Sequence, residues 1–249
     1  MYKFTMCAAG RVAAVSTRYP GTLRHCRDYL CDGEPDFSIT VTPEDIAFER
    51  EKNRRECILE GIPETTSHDG YLEAISVQRK LTERLFEWDT LLFHGSVVAV
   101  DGQAYLFTAV SGTGKSTHTA LWRQLFGDRA VMVNDDKPFL QITEEGVIAW
   151  GSPWMGKHRL GANIHLPLKA ICLLERGEEN RIQQVPPQAM LPILLQQSSR
   201  PRDPRNMPRY LELVDRMARN TAFYRLSCNM DIQAARVAYD AMSGTGENR

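Results

Sequence analysis

Alternating and helical spacings of apolar residues divide the chain into elements. Tyr2-Lys-Phe-Thr-Met-Cys-Ala8 and Arg11-Val-Ala-Ala-Val-Ser16 read as two short strands around Gly10, and residues 22–30 as a helical stretch. Asp36-Phe-Ser-Ile-Thr-Val-Thr42 alternates strictly and predicts a strand. Thr42-Pro-Glu-Asp45 then opens a helix, with Thr as N-cap, Pro at the first position and acids in the first turn. The mixed charges of residues 49–56 read as its solvated face. Residues 62–70, rich in Pro, Thr, Ser and Gly, are a loop and the one boundary that composition offers, so a small α/β portion (1–70) and a larger domain (71–249) are expected.

In the larger portion, Leu72, Ile75, Leu81 and Leu85 share a face of a helix over 71–88, which leads into a strand beginning at Leu91 and running through His94 to Val98. Asp101-Gly102 turns Ser96-Val-Val-Ala-Val100 back into Ala104-Tyr-Leu-Phe-Thr-Ala109. A helix over 119–126 ends at Gly127, and strands are expected over 129–136, 146–150, 168–174 and 222–226. Further helices fall over 188–197, 211–218 and 231–242. Residues 175–180 read as a turn, the basic, Pro-rich 200–209 as an irregular surface loop, and 243–249 as a frayed end. Strands interleaved with helices make an α/β protein, a mixed sheet flanked by helices.

Composition changes this picture little. With 249 residues and 43% hydrophobic content the chain can bury a good-sized core. A formal net charge of −1 argues against a general nucleic-acid or anionic-membrane binder. No apolar run approaches a bilayer span and no signal peptide is legible, so a cytoplasmic protein is expected. The six cysteines are scattered without a Cys-x-x-Cys pair, which fits free thiols in a reducing compartment. His25, Cys26 and Cys31 hint at a metal site, but thiols partly buried on a helix are the simpler reading.

The sharpest motif is Leu106-Phe-Thr-Ala-Val-Ser-Gly-Thr-Gly-Lys-Ser-Thr117, an apolar strand, a Gly-rich turn and a helix start. Successive backbone N–H groups in such a turn surround an anion, and the helix N-terminus adds the positive end of its dipole. Ser111, Gly112, Thr113, Gly114, Lys115, Ser116 and Thr117 are the expected phosphate-binding residues. Lys115 reaches terminal phosphates and the Ser116 hydroxyl serves Mg²⁺. Ala109 stands where the strict pattern has its first glycine, so the match is to a relaxed form. Next, Val133-Asn-Asp-Asp136 ends an apolar strand in paired carboxylates. Asp135 is expected to be the catalytic base and Asp136 the metal-side acid, with the reverse order left open. His94 is either a satisfied strand histidine or part of the site. Lys157 and Arg159, on the loop over 151–159, are either a clamp for transferring phosphoryl oxygens or solvent-facing charges.

Taken together, His94-Gly-Ser with its following strand, the Asp-Gly turn, Ser111-Gly-Thr-Gly-Lys-Ser116 and Val133-Asn-Asp-Asp136 resemble the C-terminal catalytic domain of HPr kinase/phosphorylase, whose nucleotide-binding fold is similar to that of phosphoenolpyruvate carboxykinase. The resemblance spans residues 91–242, and includes the Gly151-Ser-Pro-Trp154 loop and the segment from Phe223 to Asp231. It implies a P-loop kinase with ATP and Mg²⁺ as cofactors. Lys115 and the loop amides would bind phosphates, Ser116 and Asp136 would serve the metal, Asp135 would activate an acceptor hydroxyl, and His94 would lie near the phosphates. The acceptor would be a serine of a protein or peptide, or a small hydroxyl-bearing metabolite, and a homo-oligomer is a family expectation. Two rival readings remain: an ATP-binding sensor or assembly protein without turnover, and a carboxykinase-like enzyme acting on an oxoacid.

Overall fold

A computed structural model describes residues 1–63, 66–110 and 112–244. These form two compact units, Met1–Glu87 and Trp88–Arg249. The division thus falls after the helix that was expected to open the second portion, and not in the loop over 62–70. That helix, α3 (Asp69–Leu85), packs on the N-terminal elements described next.

In the first unit β1 (Tyr2–Ala8) pairs antiparallel with β2 (Arg11–Thr17), from Tyr2↔Thr17 to Ala8↔Arg11. β3 (Phe37–Thr40) adds to β2 in parallel. The expected helix over 22–30 is split. α1 (Pro20–His25) is followed by a 3-10 turn, Arg27–Tyr29, that buries Tyr29, and Leu30 then bridges back to Met6. α2 (Pro43–Glu60) begins as its sequence predicts, with the Thr42 side chain accepting from the Asp45 N–H and the Asp45 carboxylate accepting from the Thr42 N–H. Its charged run is not wholly solvated, however: Glu49 is buried, because Arg79 of α3 donates to it at 2.5 Å while also binding Asp45 at 2.9 Å. Burial alone would raise the Asp45 carboxyl, but donors from Lys80, the Thr42 backbone and Arg79 outweigh it and hold the group at about 2.

Glu73 of α3 is fully buried, yet its oxygens accept from the backbone N–H of Arg18 (2.6 Å) and Tyr19 (3.0 Å) and from Thr22 Oγ1 (2.9 Å). A carboxylate thereby satisfies donors where β2 turns into α1. Glu73→Gln sets a donor against those donors. It should destabilise the first unit by about 2 to 3 kcal/mol, read as a lower urea midpoint; an unchanged midpoint would mean that these hydrogen bonds add nothing net.

The second unit is a mixed α/β structure. Its strands are β4 (Thr90–Leu92), β5 (Ser96–Val100), β6 (Gln103–Thr108), β7 (Ala130–Asn134), β8 (Phe139–Ile142), β9 (Val147–Trp150), β10 (His165–Arg176), β11 (Arg181–Gln184) and β12 (Ala222–Cys228). Among the described residues these make one curled sheet that branches at the long β10. The start of β10 continues β4-β8-β9, and the rest pairs in parallel with both β6 and β12; β6 continues to β5 and β7, and β12 to β11. The C-terminal ends of β6, β10 and β12 therefore lie at one edge. Asp101 and Gly102, both at positive φ, form the turn between β5 and β6.

Helices cover this sheet: α4 (Lys115–Phe126), α5 (Pro187–Gln197), α6 (Met207–Arg219) and α7 (Gln233–Ser243). α4 packs against α7, and Trp122 of α4 is fully buried among Tyr105, Phe107, Phe126 and Tyr239. Three differences from the sequence reading have local causes. β8 and β11 are short and lack clean alternation. α6 begins inside the supposed irregular stretch, since Pro208 is tolerated in a first turn and Tyr210 is buried. The strand expected over 91–98 is interrupted at His94 and Gly95. The expected fraying at 243–249 falls largely on residues 245–249, outside the described residues. Among the described residues no helix is long and apolar enough to cross a membrane.

Candidate functional site

At the end of β6 the chain turns through residues 109–114 into α4; Ser111, one of the expected phosphate ligands, lies outside the described residues. The Thr113 N–H and Oγ1 both donate to the Val110 carbonyl, at 3.2 and 2.7 Å. From β10, an Arg176 guanidinium N–H donates to the Gly112 carbonyl at 2.7 Å, fastening the loop to the neighbouring strand. Gly114, at φ 117°, precedes α4, and among the described residues no side chain caps the helix. The first-turn N–H groups consequently keep their capacity for an acceptor from outside. Ser116 and Thr117 are exposed on that turn and Lys115 is half-buried.

The paired acids follow β7. Asn134 is the organiser here: its Oδ1 accepts from the N–H groups of Asp136 (2.8 Å) and Lys137 (2.7 Å). Its Nδ2 donates to the carbonyl (3.0 Å) and Oγ (3.1 Å) of Ser152, whose hydroxyl donates to the Lys137 carbonyl at 2.6 Å. The acid turn is thus locked to the loop over 151–154. Asp135 is 6% exposed and accepts from Ser96 Oγ at 2.6 Å. Ser96 Oγ also lies 3.1 Å from Thr119 Oγ1, which reaches back to the carbonyls of Lys115 and Ser116 at 3.3 Å each. An unbroken line of polar contacts therefore joins Asp135 to the first turn of α4.

Asp136 is more open, its side chain 34% exposed. Burial raises its carboxyl above the usual range, opposed by Lys137 and Lys115 and reinforced by Asp135. Lys115 is lowered chiefly by burial, with Asp136 and Asp135 pulling the other way and Lys137 adding to the depression. His94 Nε2 stands 3.4 Å from Asp136 Oδ1. Burial first, then Lys137 and Lys115, push this histidine down to about 4, so its ring is neutral near pH 7 and the approach is not an ion pair. The strand break that sets His94 there is fixed by the His94 N–H donating to Gln197 O (2.8 Å) and the Gly95 N–H to Asp136 O (3.1 Å). A Cβ on Gly95 would lie 3.0 Å from the Phe107 carbonyl, so the position has little room for a side chain. Gly156, at φ +69°, also passes so close that a Cβ would sit 3.3 Å from the Asp136 Cβ.

The fold thus gathers Lys115, Asp135, Asp136 and His94. Lys157 and Arg159 are exposed on the turn that includes Gly156, with Arg159 itself at φ 48°. Sequence reasoning missed Ser96, Thr119, Asn134, Lys137 and Arg176. Asn134 and Lys137 flank the acids and were available to it as an Asx-turn signal; the others become neighbours only through strand order.

Among the described residues no group of three or more His, Cys, Asp and Glu side chains could hold a metal ion. Mg²⁺ commonly takes one or two protein oxygens and fills its remaining positions with water and phosphate. Adjacent carboxylates, one of them raised chiefly by burial, together with a hydroxyl on the first turn of α4, are the kind of oxygen set that fits a cation held in that manner.

Beside the loop, on the β10 and β12 side, lies a cleft of about 530 Å³ whose walls include Thr117, His118, Leu121, Leu174, Arg176 and Met230. His118 is buried and its Nε2 accepts from the Trp122 indole N–H at 3.1 Å. Since burial pushes the ring down to about 4, it is neutral near pH 7 and carries its proton on Nδ1, a buried atom with no hydrogen-bond partner among the described residues. The acids lie on the β7 side of the loop, so the loop separates them from the cleft.

No family model and no curated protein matches the chain. Among solved structures it resembles the HPr(Ser) kinase/phosphatase from Coxiella burnetii, with 10% identity, a TM-score of 0.38, and coverage of 62% of this chain and 98% of that one. This likeness is a distant structural one.

Proposed function

We propose that the second unit is a Mg²⁺-dependent phosphotransferase that moves the γ-phosphoryl group of ATP to a hydroxyl. The observation that carries this reading is the line from Asp135 through Ser96 and Thr119 to the first turn of α4, which couples the helix start after the Gly-rich turn to the buried member of the acid pair. The loop amides and Lys115 would hold the triphosphate, with its terminal group directed to the acids. A bound Mg²⁺ would supply positive charge against the negative charge of the phosphates. Ser116 and Asp135 would hold it, and the more open Asp136 would take the acceptor's proton. That division of labour reverses the order first read from the sequence, and rests on Asp135 being buried against Ser96 while Asp136, beside His94, is the more exposed of the two. His94, being neutral, would add a hydrogen-bonding group and no charge. Lys157 and Arg159 would screen the anionic acceptor complex from their exposed turn. The nucleoside would occupy the cleft on the other side of the loop, in keeping with the general preference of ligands for the carboxyl ends of parallel strands.

Two measurements test this. Calorimetry should find Mg·ATP bound more tightly than Mg·tripolyphosphate by at least about tenfold, ~1.4 kcal/mol, because only the nucleotide fills the cleft. Equal affinities would remove the nucleoside from it, and no binding of either would remove the phosphate site. Separately, the protein is given Mg·ATP with pooled metabolites or with a protein and peptide extract, and products are followed by mass spectrometry with Asp136→Asn as control. A phosphorylated hydroxyl formed only by the native chain is the expected result. Tight Mg·ATP binding without ADP or phosphorylated product would replace the kinase by an ATP-binding sensor.

A further inference from the structure

The first unit contains a second chemically distinctive place, unrelated to the phosphate loop. Cys7 lies on β1 and Cys31 just beyond the 3-10 turn Arg27–Tyr29. One edge of β1 is filled by β2, and its other edge receives residues 30–31: Met6 bridges Leu30, the Cys31 N–H donates to Thr5 O at 3.3 Å, and Thr5 Oγ1 donates to the Cys31 carbonyl. With its backbone pinned in this way, Cys31 sets its Sγ 2.6 Å from the Cys7 Sγ. The two residues are 24 apart in sequence, so the pairing is a product of the fold and not of a local motif. Cys26, which the sequence coupled to Cys31 as a metal hint, is instead wholly buried in the core.

We infer that Cys7 and Cys31 are a disulfide-forming pair, a covalent staple between β1 and the segment that follows the 3-10 turn. A disulfide bond is about 2.0 Å long, so the sulfurs need close by only roughly half an ångström, within the reach of ordinary side-chain rotation. Both residues are half-buried, which leaves them open to a small oxidant. Burial, then the hydrogen bond and charge of Cys7, push the Cys31 thiol up to about 12, so the pair does not relieve its crowding by ionising Cys31. The metal alternative lacks ligands, since no group of three or more His, Cys, Asp and Glu among the described residues could hold an ion.

The oxidant is a small disulfide such as oxidised glutathione. The Cys7 thiol gives up its proton and attacks one sulfur of that disulfide, breaking its S–S bond, forming a mixed disulfide and releasing one glutathione thiolate. Cys31 Sγ then displaces the second glutathione from Cys7, its proton passing to the departing thiolate. The two protein thiols lose two protons and two electrons, and one oxidised glutathione becomes two reduced molecules. The staple shortens the unfolded chain's accessible states and so stabilises the first unit. It includes no residue of the site described above.

The test uses the full chain equilibrated with oxidised or reduced glutathione, alkylated and digested without reduction. Oxidation should yield one cross-linked peptide pair containing Cys7 and Cys31, lighter than its parts by two hydrogens, with the other cysteines alkylated. The oxidised protein should melt higher than the reduced one. In Cys31→Ser, and equally in Cys7→Ser if the former folds poorly, both the cross-link and the melting difference should disappear. Alkylation of all the cysteines after oxidation, a Cys26–Cys31 link, a link only between chains, or a bound zinc ion lost in Cys31→Ser would each overturn the inference.

Discussion

Asp136→Asn is expected to lower phosphoryl transfer by about 10² to 10⁴-fold while leaving Mg·ATP affinity within a few fold. Asn keeps the shape and the backbone hydrogen bonds of the turn, which are made by Asn134 and the Asp136 N–H and not by the Asp136 carboxylate. What it loses is the capacity to take a proton. Loss of a negative charge beside the phosphates does not weaken an anion's binding, so the defect should appear in kcat and not in Kd. Asp135→Asn should behave differently: it disturbs the buried contact with Ser96 and the proposed metal position, and should raise the Mg²⁺ concentration needed for half-maximal rate. If Asp136→Asn changes the Mg²⁺ requirement and Asp135→Asn leaves it normal but abolishes transfer, the two roles are exchanged.

Lys115→Ala should reduce transfer by about 10² to 10³-fold and weaken Mg·ATP binding by at least about tenfold, with the melting temperature nearly unchanged. The ammonium is half-buried and in the electrostatic field of both acids, so removing it deprives the phosphates of a fixed cation and the acids of a counter-charge. Stability is spared because Lys115 is the first residue of α4, Ala is a good helix former, and the core contacts of the helix come from Trp122 and Phe126 further along. Unfolding of this variant would show that the side chain holds the fold together, and would take Lys115 out of the candidate site. Lys115→Met, which keeps the aliphatic stem, should reproduce the transfer defect and so separates lost charge from lost packing.

The sequence carried unequal amounts of information about these elements. The strictly alternating stretch of β3, the Asp101-Gly102 turn, the Thr42 capping box and the strand–turn–helix at 106–126 are local, since their causes lie within a few residues of one another. Elements whose stability comes from distant partners were not legible. β8 and β11 form because a neighbouring strand completes their hydrogen bonds, and Glu49 is buried because Arg79, thirty positions on, meets it. The domain boundary was misplaced for the same reason: residues 62–70 look like a linker, whereas the packing of α3 decides where a compact unit ends.

By itself, then, the sequence determined the mixed α/β class and the positions along the chain of Lys115, Ser116, His94, Asp135 and Asp136, because turn chemistry, hydrophobic period and residue type are local properties. Tertiary structure alone decided that Ser96 and Thr119 tie Asp135 to α4, that Asn134 locks the acid turn onto Ser152, that Asp136 rather than Asp135 is the open carboxylate, and that Cys31 meets Cys7. Those contacts join residues brought together by strand order and burial, and a chain read one window at a time holds no term for either.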